Sequence, residues 1–221
     1  MLTAVAATAQ FQLASKSART NALLSVAKMG APVPYARDTE IYGEGEEAEY
    51  VYQVVSGAVR TYKILNDGRR QIGAFYFAGD VFGLEAGDEH EMSAEAVCNC
   101  TVSVLKRTSL TGLAGRDSNI ANALLNVTAR ELQRAQKHML LLVRTAQERV
   151  ASFLLEMADR TAAVGSVELP MPRKDIADYL GLTIETVSRT LTLLEDQAAI
   201  ALPSARSVQL TNVRQLRRLN S

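Results

Sequence analysis

Pro172-Arg173-Lys174-Asp175-Ile176-Ala177-Asp178-Tyr179-Leu180-Gly181-Leu182-Thr183-Ile184-Glu185-Thr186-Val187-Ser188-Arg189-Thr190-Leu191 is the stretch from which the rest of the chain can be read. Ile176, Leu180, Ile184, Val187 and Leu191 supply apolar faces at helical spacing, which predicts two short helices held at a fixed angle. Ala177 provides the small side chain that a close helix approach needs. Gly181 permits the positive φ of a tight inter-helix turn. Thr183 is a natural N-cap for the second helix. With those residues turned inward, Glu185, Ser188 and Arg189 lie at i, i+3 and i+4, together on the outward side near the helix N-terminus. That is where a recognition helix meets base edges in the major groove. Arginine can bind guanine O6 and N7 bidentately, a carboxylate accepts from cytosine N4, and a hydroxyl serves either. A Glu–Arg pair four apart is also an ordinary helix-stabilising pair worth roughly 0.2–0.5 kcal/mol. The helix-Gly-turn-helix frame and a long helix upstream decide for the DNA-reading role.

Around this centre the chain is compact. Val167–Leu169 reads as a strand, Ile200–Leu202 and Ser207–Leu210 as a wing around Pro203–Arg206, and Val213–Leu219 as a last basic helix. Upstream, Asp117, Ser118 or Asn119 is placed to cap a helix that meets no Gly or Pro from Ile120 to about Thr161. Leu125, Leu132, Met139, Ala146 and Phe153 recur every seven residues, and Ala129, Val143 and Val150 fall four beyond three of them. Such a heptad seam predicts pairing with a second copy of the chain through Leu125, Leu132, Met139, Val143, Ala146 and Val150, although Gln136 and Arg149 lie near it. At 1.5 Å per residue the helix would run roughly 60 Å, too long for one small domain to cover.

From Ala31 to Leu113 the pattern is short and extended. Tyr50–Val55, Ala58–Leu65, Gln71–Phe77 and Ala94–Leu105 are separated by turn signals at Ser56-Gly57, Asn66-Asp67-Gly68, Ala78-Gly79-Asp80 and Ala86-Gly87-Asp88. Several strands at this spacing predict a β-sandwich or β-roll. The expected fold is α+β: an N-terminal β-roll over 1–116, a dimerisation helix over 117–161 and a winged helix-turn-helix over 162–221.

Composition narrows the function classes. Of 221 residues, 48% are hydrophobic and 22% charged, with a formal net charge of zero, as in an ordinary globular protein. The charge is unevenly spread: 160–221 carries eight Lys and Arg against six Asp and Glu, whereas 38–50 is acidic. Cys98 and Cys100 are the only cysteines, which excludes a disulfide framework and suggests small buried residues in a reduced compartment. In an extended strand both would share one face. No apolar run has the length of a membrane helix. Met1–Gln10 has no basic start before an apolar stretch, so no secretion signal is expected and the location should be cytoplasmic. No Gly-rich phosphate loop, metal-spaced cluster or nucleophile elbow points to an enzyme.

The chain resembles the CRP/FNR superfamily of transcription regulators over nearly its whole length, and Leu169–Leu194 is most similar to the FixK-like branch. The most specific words are Leu180-Gly181-Leu182-Thr183 followed by Glu185, Ser188 and Arg189. The β-roll matches in Gly57, Gly68 and Gly79-Asp80-Val81-Phe82-Gly83. The resemblance implies base contacts from Glu185, Ser188 and Arg189 to a TTG-type half-site of an inverted repeat. It also implies phosphate contacts from Arg173, Lys174, Thr183 and Thr186. A homodimeric activator that touches RNA polymerase, acting on genes for low-oxygen life or nitrogen fixation, is the expectation that follows.

The resemblance also raises the question of an effector. Cyclic-nucleotide binders of the family use a Glu after the Gly-Asp-x-Phe-Gly turn and an Arg-Ser pair beyond it. Here Glu85 is followed by no such Arg, and Asp88, Glu89 and Glu91 would repel a phosphate. Two cysteines cannot supply the four thiolates of an iron–sulfur sensor. His90 and His138 are nominal haem ligands, but a lone histidine is more often simply solvated. The expectation is DNA binding with no cofactor and no small-molecule effector; the alternatives are a regulator of the same fold gated by an unidentified effector, and a regulatory module that does not bind DNA.

Overall fold

The computed structural model describes residues 30–161 and 165–219. The reading of Met1–Gln10 therefore lies outside the described residues. Ten strands and six helices follow one another along these residues. The strands are β1 (Ala31–Tyr35), β2 (Glu40–Tyr42), β3 (Tyr50–Ser56), β4 (Ala58–Ile64), β5 (Arg70–Phe77), β6 (Val81–Phe82), β7 (Ser93–Ala96), β8 (Cys100–Lys106), β9 (Ser166–Glu168) and β10 (Ser207–Gln209). The helices are α1 (Arg107–Ala114), α2 (Ser118–Leu141), α3 (Ala146–Thr161), α4 (Arg173–Leu180), α5 (Ile184–Asp196) and α6 (Val213–Arg218). The α+β class is as expected.

Two four-stranded antiparallel sheets, ordered β1-β8-β3-β6 and β2-β7-β4-β5, close on a shared core of Tyr42, Tyr52, Val54, Val59, Phe82, Ala94, Ala96, Cys100 and Val102. The run expected over Ala94–Leu105 is two strands in different sheets, parted by a bend at Val97–Asn99. Cys98 sits in that bend and Cys100 in β8, so the two thiols do not share a strand face. Gly57 marks the β3–β4 turn at φ +81°, and a Cβ there would come within 2.6 Å of both Asn99 O and Cys100 Cβ. No other residue type combines that dihedral with that clearance.

α1 and the first half of α2 lie on the first sheet, where Leu110, Ile120, Leu124 and Val127 pack against Val51 and Val81. Asp117 is the N-cap of α2, accepting from Asn119 N at 2.8 Å. The helix expected to run unbroken to Thr161 ends at Leu141. Thr145 and Glu148 form a capping box that starts α3 afresh: Thr145 N donates to Glu148 Oε2 at 2.7 Å, and Glu148 N to Thr145 Oγ1 at 3.4 Å. Arg149 then satisfies the carbonyls left at the break. Its guanidinium donates to Leu142 O at 2.6 Å, Arg144 O at 2.9 Å and Leu180 O at 2.9 Å.

This break divides the heptad seam. Leu125, Leu132, Met139 and Val143 are 60–84% exposed and form an apolar stripe with no cover in a single chain. Val150 does not belong to it. At 1% exposure it is packed in its own chain's core with Phe153, Leu154 and Met157, and has no surface to offer a second copy. Ala146 is half-buried in the first turn of α3, where the new helix no longer continues the register of α2.

The C-terminal core gathers α3, α4, α5, β9, β10 and α6 around Phe153, Leu154, Met157, Leu180, Val187, Leu194 and Leu216. It is continuous with Ile72 and Phe75 of β5, where Phe75 meets Tyr179 at 5.3 Å between ring centroids. The helix-turn-helix thus rests directly on the β-roll. The wing takes a different pairing from the one expected. β10 pairs with β9, and the expected 200–202 partner contributes a single bridge, Ala201 to Gln209.

Candidate DNA interface

Each residue of the reading head is placed by its local chain. Pro172 N-caps α4, with Arg173 and Lys174 in its first turn. Arg173 is half-buried and Lys174 exposed. Gly181 closes α4 at φ +61°, ψ +40°, the left-handed conformation the turn demands, and its N–H returns to Ala177 O. Thr183 then caps α5, its Oγ1 accepting from Thr186 N at 3.2 Å and lying 3.1 Å from Thr186 Oγ1. The Thr183 and Thr186 hydroxyls, expected at phosphates, are engaged first in building the helix start.

Val187, Thr190, Leu191 and Leu194 turn inward and are buried. Ile184 was expected among them, yet it is 41% exposed, because the N-cap swings the first residue of α5 off the packed face. Glu185 and Arg189 are exposed and Ser188 is half-buried beside them. The helix spacing brings these three together as one outward face. The helix's own N-terminal backbone N–H, the Thr183 hydroxyl and Arg189 hold the Glu185 carboxyl below the usual carboxylate range, so it stands as an anion acceptor at neutral pH. An acceptor, a hydroxyl and a guanidinium within the first two turns of a helix are the groups that base edges complement.

Behind this face lies an ion network that residue pattern alone does not reveal. Asp175 of α4, only 1% exposed, accepts from Arg60 of β4 at 2.6 Å and from Arg70 of β5. Arg70 also donates to Asp178 at 2.8 Å, and Gln71 to Tyr179 O at 3.3 Å. Arg60 is held from its other side by Glu95 at 2.7 Å and Asp38 at 3.3 Å. The first helix of the head is thereby tied to the β4–β5 hairpin. These partners are 105–115 residues apart, and their one local hint is an Asp on the apolar side of a short helix.

Inside the β-roll, aromatic side chains pack against one another beside the loop that follows Glu85. His90 stacks on Tyr42 at 3.5 Å between centroids and reaches Glu85 Oε1 at 3.3 Å, while Tyr52 stacks on Phe82 at 5.2 Å. Arg107 donates to Gly87 O at 2.6 Å and so pins the loop after Glu85. His90 is thus a packed core residue rather than a solvated one. His138 is likewise stacked, 4.2 Å from the Tyr179 ring. Among the described residues no group of three or more His, Cys, Asp and Glu could hold a metal, and no helix is long and apolar enough to cross a membrane.

Comparison with known proteins places this geometry. The Crp-like helix-turn-helix domain matches residues 148–219, and the cyclic nucleotide-binding domain matches residues 32–117. The nitrogen fixation regulation protein FixK of Azorhizobium caulinodans is 54% identical over 202 residues, covering 89% of this chain and 82% of that protein. FixK of Rhizobium meliloti is 40% identical, covering 89% and 92%. The structure of FixK2 from Bradyrhizobium japonicum superposes with a TM-score of 0.83 at 54% identity, covering 87% of this chain and 98% of that one.

Proposed function

The chain belongs to the CRP/FNR family of helix-turn-helix transcription regulators, and on that premise we propose that it is an activator that binds DNA as a homodimer without requiring a small-molecule effector. Each protomer reads one TTG-type half-site of an inverted repeat. Glu185, Ser188 and Arg189 contact bases, and Arg173, Lys174, Thr183 and Thr186 contact phosphates. The single observation that carries this reading is the outward face of Glu185, Ser188 and Arg189 at the capped start of α5, on a head held in place by buried packing.

The exposed stripe of Leu125, Leu132, Met139 and Val143 supports pairing of two α2 helices. Two heads carried on such a pair would sit about 34 Å apart, one turn of DNA. The aromatic filling around Tyr42 and His90, and the ion network that already seats α4, support DNA binding with no effector in the β-roll. The FixK relatives are nitrogen fixation regulation proteins, so the target genes are assigned to nitrogen fixation or low-oxygen metabolism. The protein works in the cytoplasm and touches RNA polymerase when bound to DNA.

A titration of the unliganded protein on a TTG…CAA duplex tests this directly. Specific binding is expected, with Arg189→Ala losing about 1–3 kcal/mol and the preference for that base position. Equal affinity of wild type for that duplex and a scrambled one would overturn the reading.

A further inference from the structure

A cleft of about 710 Å³ opens where α2 and α3 splay apart at their break, closed on one side by the Phe77–Asp80 turn after β5 and on another by Arg217 of α6. Six cationic side chains line it: Arg130, Arg134, Lys137, Arg144, Arg160 and Arg217. Three carboxylates, Asp80, Glu156 and Asp159, stand against them. Arg134 and Arg160 are already used. Both pair with Asp80, at 3.8 and 2.5 Å, and each lies over a ring, Arg134 over Tyr76 and Arg160 over Phe77. Among the described residues Arg130 donates its Nε to Asn126 O, and Arg130, Lys137 and Arg217 make no ion pair.

His138 supplies the second observation. It lines the same cleft, yet both of its ring nitrogens are buried with no hydrogen-bond partner. Burial lowers its pKa, so the ring is neutral, with one N–H to give and one lone pair to fill. Buried polar groups are otherwise almost always satisfied. Phe77, Leu141 and Leu155 add apolar lining beside it. Guanidinium and ammonium groups lining one cleft, with an unpartnered imidazole and apolar side chains beside them, form the chemistry of a site for a charged group on a small organic body.

We propose that this cleft binds a small phosphorylated molecule, its phosphate held by Arg130, Lys137 and Arg217 and a polar atom of its body meeting His138. The site is separate from the β-roll interior. It is separate from the apolar stripe as well, since Arg130 and Lys137 lie about 150° round α2 from Leu125, Leu132 and Met139. His138 is stacked on Tyr179 of α4, and Tyr179 also bonds Glu156 of α3, so a ligand here bears directly on the seat of the reading head. It tunes DNA binding that occurs without it.

Isothermal titration of the full chain, with no DNA and at constant ionic strength, tests the site with tripolyphosphate, adenosine triphosphate and citrate as probes and sulfate as the control. Saturable binding of a phosphorylated probe, one per chain, is expected. Lys137→Glu with Arg217→Glu, both exposed positions, should weaken it at least about tenfold, as should His138→Leu. Arg189→Ala should leave it unchanged. Absence of saturation with every probe, tighter binding of citrate than of either phosphate, or unaltered binding in the Lys137/Arg217 double variant overturns the proposal. Loss of binding in Arg189→Ala would put the anion on the recognition helix and overturn it too. None of these outcomes depends on whether the chain reads the inverted repeat.

Discussion

At the residue scale, Asp175 shows how one buried charge ties together distant parts of the chain. Removing one partner of a buried ion pair is costly because the other is left uncompensated. Asp175→Ala takes one carboxylate from the 5%-exposed Arg60, which keeps Glu95 and Asp38, and one from Arg70, which keeps Asp178. The expected loss is about 1–3 kcal/mol in urea unfolding, and an unchanged midpoint would show that the network holds nothing. The cysteines behave differently from each other. Burial, then the neighbouring Cys98, pushes the Cys100 thiol up to about 11, while Cys98 is half-buried. Iodoacetamide at pH 8 should therefore modify Cys98 well before Cys100. A thiol whose folded pKa is raised favours folding below its ordinary value and loses that contribution as pH climbs from about 9 to about 11. Cys100→Ala should flatten the fall of the unfolding midpoint over that window; a fall as steep as in wild type would refute this.

At the element scale, the local signals were readable and the long-range ones were not. The Gly181 turn, the Thr183 cap and the outward face of Glu185, Ser188 and Arg189 all depend on neighbours within one or two turns, and sequence spacing conveys those. Thr145-x-x-Glu148 was an equally local signal, and the unbroken run without Gly or Pro masked it. A capping box can restart a helix with neither residue present. The fate of Val150 depended on α4, α5 and β9 closing over α3, which heptad spacing cannot convey. The pairing of β10 with β9, rather than with 200–202, is likewise a choice made by the assembled core. The stripe and the core now separate experimentally. Leu132→Glu with Met139→Glu should convert a dimer to a monomer in sedimentation while leaving the melting temperature of the fold nearly unchanged. Val150→Ala should leave assembly intact and cost about 2 kcal/mol of stability. The reverse pattern would return Val150 to the pairing surface.

At the scale of the whole molecule, β-roll, helices and head form one connected body through Phe75, Tyr179 and the Arg60–Asp175–Arg70 network. The elbow at 142–145 has a consequence of a metrical kind. Arg149 grips two carbonyls within it, Leu142 O and Arg144 O, and Leu180 O at the end of α4, so one side chain helps to fix the angle between the shaft and the reading head. In a pair of chains joined along their shafts, that angle is duplicated by symmetry and sets a stride. One residue added to or taken from a helix rotates all that follows by about 100°. The elbow is therefore a ruler: a chain altered there by a single residue would keep its alphabet of bases and lose the distance at which it can read two words at once.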